Sequence, residues 1–135
     1  MEVILDATNA TAGRLACVAA KKALQGDKVI VLNSEKAIIT GDPKVVLEEY
    51  LARVRLGRIV QKGPNMPSKP EMILRRMIRG MLPWKRTTGR EAYRRVKCFI
   101  GVPEDQKNRE AITFNRKIKT KSISIGKLSY LLKQK

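Results

Sequence analysis

The apolar positions fall into a strand–helix–strand rhythm over the first third of the chain. Val3-Ile4-Leu5 is a continuous apolar run closing on Asp6, the pattern of a buried strand. Residues 7–10 form a small turn, and Thr11 stands where it can cap a helix over 12–25. In that helix Leu15, Ala16, Ala19, Ala20, Ala23 and Leu24 make an apolar stripe at helical spacing, and Gly26 supplies the left-handed residue that ends it. A second strand follows over 28–32, apolar throughout in Val29-Ile30-Val31-Leu32. Two such strands around one helix make a βαβ unit. They imply a parallel sheet covered on both faces.

Beyond this unit Ala37-Ile38-Ile39-Thr40 reads as a third, shorter strand, and Gly41-Asp42-Pro43 turns the chain into a helix over 43–56. Asp42 is its N-cap and Pro43 its first residue. From 57 to 70 the periodicity dissolves, because Pro64, Pro67 and Pro70 exclude helix interiors and central strands. Helices are predicted over 71–82 and 88–97, a strand over 98–102 closed by Pro103, and a last helix over 124–132. In the first of these, Met72, Ile73, Met77, Ile78 and Met81 are placed toward the core. The whole reads as an α/β fold, three-layer α/β/α around a small parallel sheet, with a basic loop and helices added in the second half. At 135 residues too little chain lies on either side of the loop for two cores. One domain is therefore expected, with a βαβ scaffold (1–56), a basic loop and helices (57–103), and a tail with the C-terminal helix (104–135).

Charge changes the picture. Lys and Arg number 29 against 12 Asp and Glu, a formal net charge of +17. Residues 1–50 carry six basic and seven acidic side chains, whereas residues 51–100 carry fourteen basic and two acidic. Self-repulsion of this size is relieved by a polyanion or an anionic membrane. The quiet first third thus looks like a scaffold, and the partner-facing charge begins near Arg53.

Several chemistries are poorly served. The chain has no histidine, which removes the commonest general acid–base group and metal ligand together. Cys17 and Cys98 have no neighbouring ligand set and are expected as buried free thiols. Neither a Gly-x-Ser-x-Gly nor a Walker-type sequence occurs. The turn after Asp6, with Gly13-Arg14 at a helix start, is similar to an anion-binding βα turn, yet only one of the three dinucleotide-fingerprint glycines is present. Close packing of helix on strand explains the same small residues. A nucleotide-binding enzyme on that unit stays as the alternative. No apolar window is long enough for a membrane span and the first residues lack a signal-peptide pattern, so a cytoplasmic location is expected. No cofactor, metal or small-molecule substrate is expected.

The basic stretch is more specific. Arg53, Arg55 and Arg58 end the second helix, where they also complement its dipole. Lys62 and Lys69 lie on the proline-rich loop. Arg75, Arg76 and Arg79 cluster on the next helix, and Lys85, Arg86, Arg90, Arg94, Arg95 and Lys97 continue the field. Ten of the fourteen cations are arginine, suited to bidentate contact with phosphate, and only Glu71 and Glu91 could neutralise them internally. Together with Arg14 and Lys36 these are the candidate RNA-binding residues. With no helix-turn-helix spacing, zinc finger or aromatic strand of the RNP type, binding through phosphate, 2′-hydroxyl and shape is expected.

Particular segments carry a family likeness. They are Asp6-Ala7 with Gly13-Arg14-Leu15-Ala16, Val31-Leu32-Asn33-Ser34-Glu35-Lys36 and Ile38-Ile39-Thr40-Gly41. Ile78-Arg79-Gly80-Met81-Leu82-Pro83 follows, with Gly89 and Ile100-Gly101-Val102-Pro103. In this order the chain resembles the universal large-subunit ribosomal protein thirteen family over about residues 2 to 103. Its start close to the first strand is similar to the archaeal and eukaryotic branch. The resemblance implies an α/β/α fold and a structural place on large-subunit ribosomal RNA beside neighbouring ribosomal proteins, with a part in assembly and no catalysis. It assigns no role to the tail after Pro103.

Overall fold

The computed structural model describes residues 1–56, 66–114 and 117–134. Arg58, Lys62 and Pro64, all named above, lie outside the described residues. Strand β1 (Glu2–Asp6), helix α1 (Ala12–Leu24) and strand β2 (Lys28–Leu32) form the predicted βαβ unit. β1 and β2 pair in parallel, with Leu5 opposite Val31 and Val3 opposite Val29. Strand β3 (Ile38–Thr40) and helix α2 (Pro43–Arg55) follow, and the Asp42 carboxylate caps α2 by accepting from the Lys44 N–H at 3.0 Å.

The second half supplies α3 (Pro70–Gly80), α4 (Thr87–Arg94), β4 (Val96–Cys98), β5 (Ser122–Ser124) and α5 (Ile125–Lys133). The parallel sheet has the order β1-β2-β4 among the described residues. On one face Leu5, Val29, Val31 and Val96 are fully buried with Leu15 and Ala19 of α1, Ile73 and Leu74 of α3, Ala92 of α4 and Leu128 of α5. On the other face Ile4, Ile30 and Leu32 are covered by Phe99 and Ala111. The chain there runs beside β1, where the Asp6 N–H donates to the Ile112 carbonyl and the Ile112 N–H to that of Ile4, both at 2.9 Å. Both faces are thus closed, as strands apolar on each side require.

Five details differ from the sequence reading. The strand expected over 98–102 lies at Val96–Cys98, because α4 stops at Arg94 and the fully buried Val96 pairs with Val29. The third strand is present as expected, but it pairs antiparallel with an unexpected strand, β5, a Ser-Ile-Ser segment too short to show a pattern. In α3 the core face is Ile73, Leu74 and Ile78, while Met72 and Met81 are exposed. Cys17 is exposed rather than buried, because it falls off the stripe made by Leu15, Ala16, Ala19, Ala20 and Ala23. Thr11 occupies the α1 N-cap position without a side-chain capping bond, and its backbone bridges to Ile38.

Candidate nucleic-acid interface

The turn between β1 and α1 is closed from within. Asp6 Oδ1 accepts from the Thr8 N–H at 3.0 Å, the Thr8 hydroxyl at 2.7 Å and Asn33 Nδ2 at 3.1 Å. Burial works to raise the Asp6 pKa, but the Thr8 and Asn33 bonds and the Lys36 charge outweigh it and hold the carboxyl below its ordinary value. Ala7, Ala10 and Ala12 are buried beneath this turn. The Thr8 and Asn33 donors of this turn are thus engaged internally. The small residues here serve close packing of helix on strand. Arg14, one turn further on, is exposed, and so is Lys36 on the short 3-10 turn Ser34–Lys36.

The basic residues of α3, α4 and β4 come together. Arg75 of α3 stacks over the Tyr93 ring of α4, 4.4 Å from its centroid, and Arg79 stacks over Trp84 at 4.1 Å. Trp84 and Tyr93 meet edge to face, 5.2 Å apart and 89° inclined. The result is one row, Arg75–Tyr93–Trp84–Arg79, in which each of two guanidiniums stands over an aromatic ring. The i, i+4 spacing put Arg75 and Arg79 on one face. Like charges so placed cost a bare helix a few tenths of a kcal/mol, and the two rings lower that cost. Sequence reasoning missed Tyr93 and Trp84. Their only signal was their position among arginines, and Tyr93 reaches the row from the next helix.

Three clefts adjoin this row. Arg75, Arg94 and Lys97 share one of about 250 Å³ with Glu71. Arg94, Arg95 and Lys97 border a second of about 340 Å³ with Lys28 and Glu2. Arg76 and Arg79 line the third, about 270 Å³, with Gly80, Leu82 and Trp84. Arg94 and Lys97 belong to two clefts at once, so the cations of those two clefts form a continuous surface.

Not every candidate is free. Arg95 Nη1 donates to the Ala23 carbonyl at 3.0 Å, satisfying an acceptor in the last turn of α1. Arg90 Nε donates to the Trp84 carbonyl at 3.1 Å across the turn joining α3 to α4. Arg76, Lys85, Arg86, Arg94 and Lys97 are exposed. The ion pairs among the described residues are the N-terminus with Asp27, Arg109 with Glu2 and Lys121 with Asp42, none of them in this region. Arg53 and Arg55 stay apart on α2, which packs on α5 and β5; Arg53 lies 5.2 Å over Tyr50. Lys69 is exposed just before α3.

Gly80 has open space around it. The tight contact is at Gly89 instead. A Cβ there would stand 2.1 Å from the Pro83 carbonyl oxygen.

Fold and surface together define a class: a small, strongly basic α/β protein whose middle-region cations form no ion pair among the described residues. The sequence profile described as Ribosomal protein L13 matches residues 1–105, and the chain belongs to that family. Among relatives, large ribosomal subunit protein uL13 of Methanopyrus kandleri is 49% identical over 74% of this chain and 62% of its own length. The protein of the same name from Archaeoglobus fulgidus is 47% identical over 79% of this chain and 68% of its own. That of Natronomonas pharaonis is 37% identical over 95% and 88%. The chain thus spans a little under two thirds of the first of these and most of the last. The match to residue 105 agrees with the resemblance over residues 2 to 103, and all three relatives are archaeal.

Proposed function

We propose that this chain is a structural constituent of the large ribosomal subunit that holds folded ribosomal RNA through the cationic surface of α3, α4 and β4. Membership of the L13 family supports a structural rather than enzymatic role in the ribosome. The RNA-binding surface is a further step, and one observation carries it. The arginines and lysines between Lys69 and Lys97 form no ion pair among the described residues, although three clefts gather Arg75, Arg76, Arg79, Arg94, Arg95 and Lys97. A phosphate backbone would supply the missing anions, and release of its counterions would favour assembly.

In this reading Arg76, Lys85, Arg86, Arg94 and Lys97 meet phosphate directly. Arg75 and Arg79 present pre-oriented guanidiniums, and Arg90 and Arg95 divide their donors between fold and RNA. Arg14, Lys36, Arg53, Arg55 and Lys69 would extend the contact to other faces, as would Arg58 and Lys62. The βαβ scaffold positions all of these, and α5, packed on both α2 and α3, supports a single domain over 1–135. Neighbouring large-subunit proteins would complete the partners. No helix among the described residues is long and apolar enough to cross a membrane. The nucleotide-binding alternative draws no support from the turn after β1, where Asp6 already takes the nearby donors.

The test is co-sedimentation. On a sucrose gradient the tagged chain should travel with the large subunit and leave it only in high salt. A chain that stays at the top of the gradient at low salt overturns the proposal.

A further inference from the structure

The cleft beside Trp84 offers something phosphate binding does not require. Its walls are Arg76, Arg79, Gly80, Leu82 and Trp84, and its volume is about 270 Å³. At ~30 Å³ per water that is on the order of nine waters, room for a single heterocycle and not for a duplex. The Arg79 guanidinium stands over the Trp84 ring, 4.1 Å from the centroid, and Arg79 is itself half-buried. A guanidinium fixed in this way offers its opposite plane as a stacking surface, and unstacked RNA bases stack on such planes as they do on aromatic rings. Gly80 contributes no side chain, and no atom stands within 4 Å of where its Cβ would be. Arg76, next along α3, is exposed at the rim with no ion pair among the described residues.

We infer that this cleft is a base-binding site: one unpaired nucleobase of the bound RNA stacks on the Arg79 guanidinium in a base–arginine–tryptophan sandwich, with its phosphate on Arg76. The inference rests on the RNA-binding reading and goes beyond it, because it requires an extruded base rather than backbone contact alone. The site is open to any base, since a stacking face does not read hydrogen-bonding edges.

Trp84 is the only tryptophan, so its fluorescence reports on this cleft alone. The probe is protein-free archaeal large-subunit ribosomal RNA, added to the full chain and followed by fluorescence, by filter binding and by chemical modification of unpaired bases. Addition should quench Trp84, and one unpaired base should become protected. Arg79→Lys keeps the charge and removes the plane. It should weaken binding about 10-fold, within the range for one stacked base, leave the salt slope unchanged and expose the protected base. Gly80→Leu should fill the cleft and expose the same base, with the circular dichroism spectrum of the parent. If RNA binds with a steep salt dependence while Trp84 is unquenched and both variants protect as the parent does, the base site is wrong and the phosphate reading stands. If RNA does not bind, both fall.

Discussion

Gly89 lies against Pro83 so closely that a Cβ on it would sit 2.1 Å from the Pro83 carbonyl oxygen and 2.4 Å from the carbonyl carbon. Gly89 is buried in the first turns of α4, and Pro83 begins the turn that joins α3 to α4. The obstructing atoms are backbone and cannot rotate away. This contact sets how α4 enters the fold, and therefore where Tyr93, Arg94 and Arg95 stand relative to α3.

Gly89→Ala is accordingly predicted to destabilise the protein by about 1–3 kcal/mol through overpacking, even though alanine in a helix interior is worth about 1 kcal/mol over glycine. Urea unfolding checks this. A midpoint at or above that of the parent would show that α4 can shift at little cost. Gly80→Ala, made in open space, should by contrast be neutral or slightly stabilising.

Arg95 is predicted to matter to the fold before it matters to RNA. Its Nη1 donates to the Ala23 carbonyl at 3.0 Å and joins the end of α4 to the end of α1. A hydrogen bond from a charged donor contributes roughly 1.5–3 kcal/mol. Arg95→Met should lower stability by about that amount, whereas Arg94→Met at the exposed neighbouring position should stay within about 0.5 kcal/mol of the parent. Equal thermal midpoints for the two variants would count against this division of labour.

Cys98 and Cys17 should behave oppositely toward thiol reagents. Burial pushes the Cys98 thiol up to about 12 from its ordinary 9.0, only partly opposed by the nearby Arg75 charge. Its thiolate is therefore scarce in the folded protein at any ordinary pH, while the unfolded chain ionises near 9.0. The raised value contributes stability that is fully present below pH 9.0 and is lost as pH rises toward 12. At pH 8 a maleimide should label exposed Cys17 quickly and Cys98 only on unfolding, as peptide mass mapping would show. Cys98 is half-buried rather than buried as the sequence led one to expect, and rapid labelling in the folded chain would refute its raised pKa.

The βαβ unit was legible because local pattern and tertiary environment agree there: the strands are apolar from Val3 to Leu5 and from Val29 to Leu32, where both faces are covered, and α1 buries one stripe. Legibility failed where environment overrides pattern. Val96 to Cys98 continues an apparently helical run, yet pairing with Val29 to Val31 draws it into the sheet. The Ser-Ile-Ser strand β5 exists only through its partner β3. For the surface, sequence showed how many cations there were and that carboxylates were too few. It could not show that Tyr93 and Trp84 would seat two of the arginines or that Ala23 would bind a third, because those contacts join separate helices.

The central claim is that the unpaired cations of α3, α4 and β4 neutralise RNA phosphates. It is tested most directly by the salt dependence of binding to large-subunit ribosomal RNA, measured for the parent and for Arg76→Gln, Arg94→Gln and Lys97→Gln combined. With ~6–10 phosphates neutralised, affinity should fall by about 10³–10⁵ between 50 and 200 mM salt. The triple variant should lower the slope of log K against log salt by roughly 2–3 while the fold is unchanged. A flat response in the parent, or a variant with the parent's slope and affinity, would contradict the account.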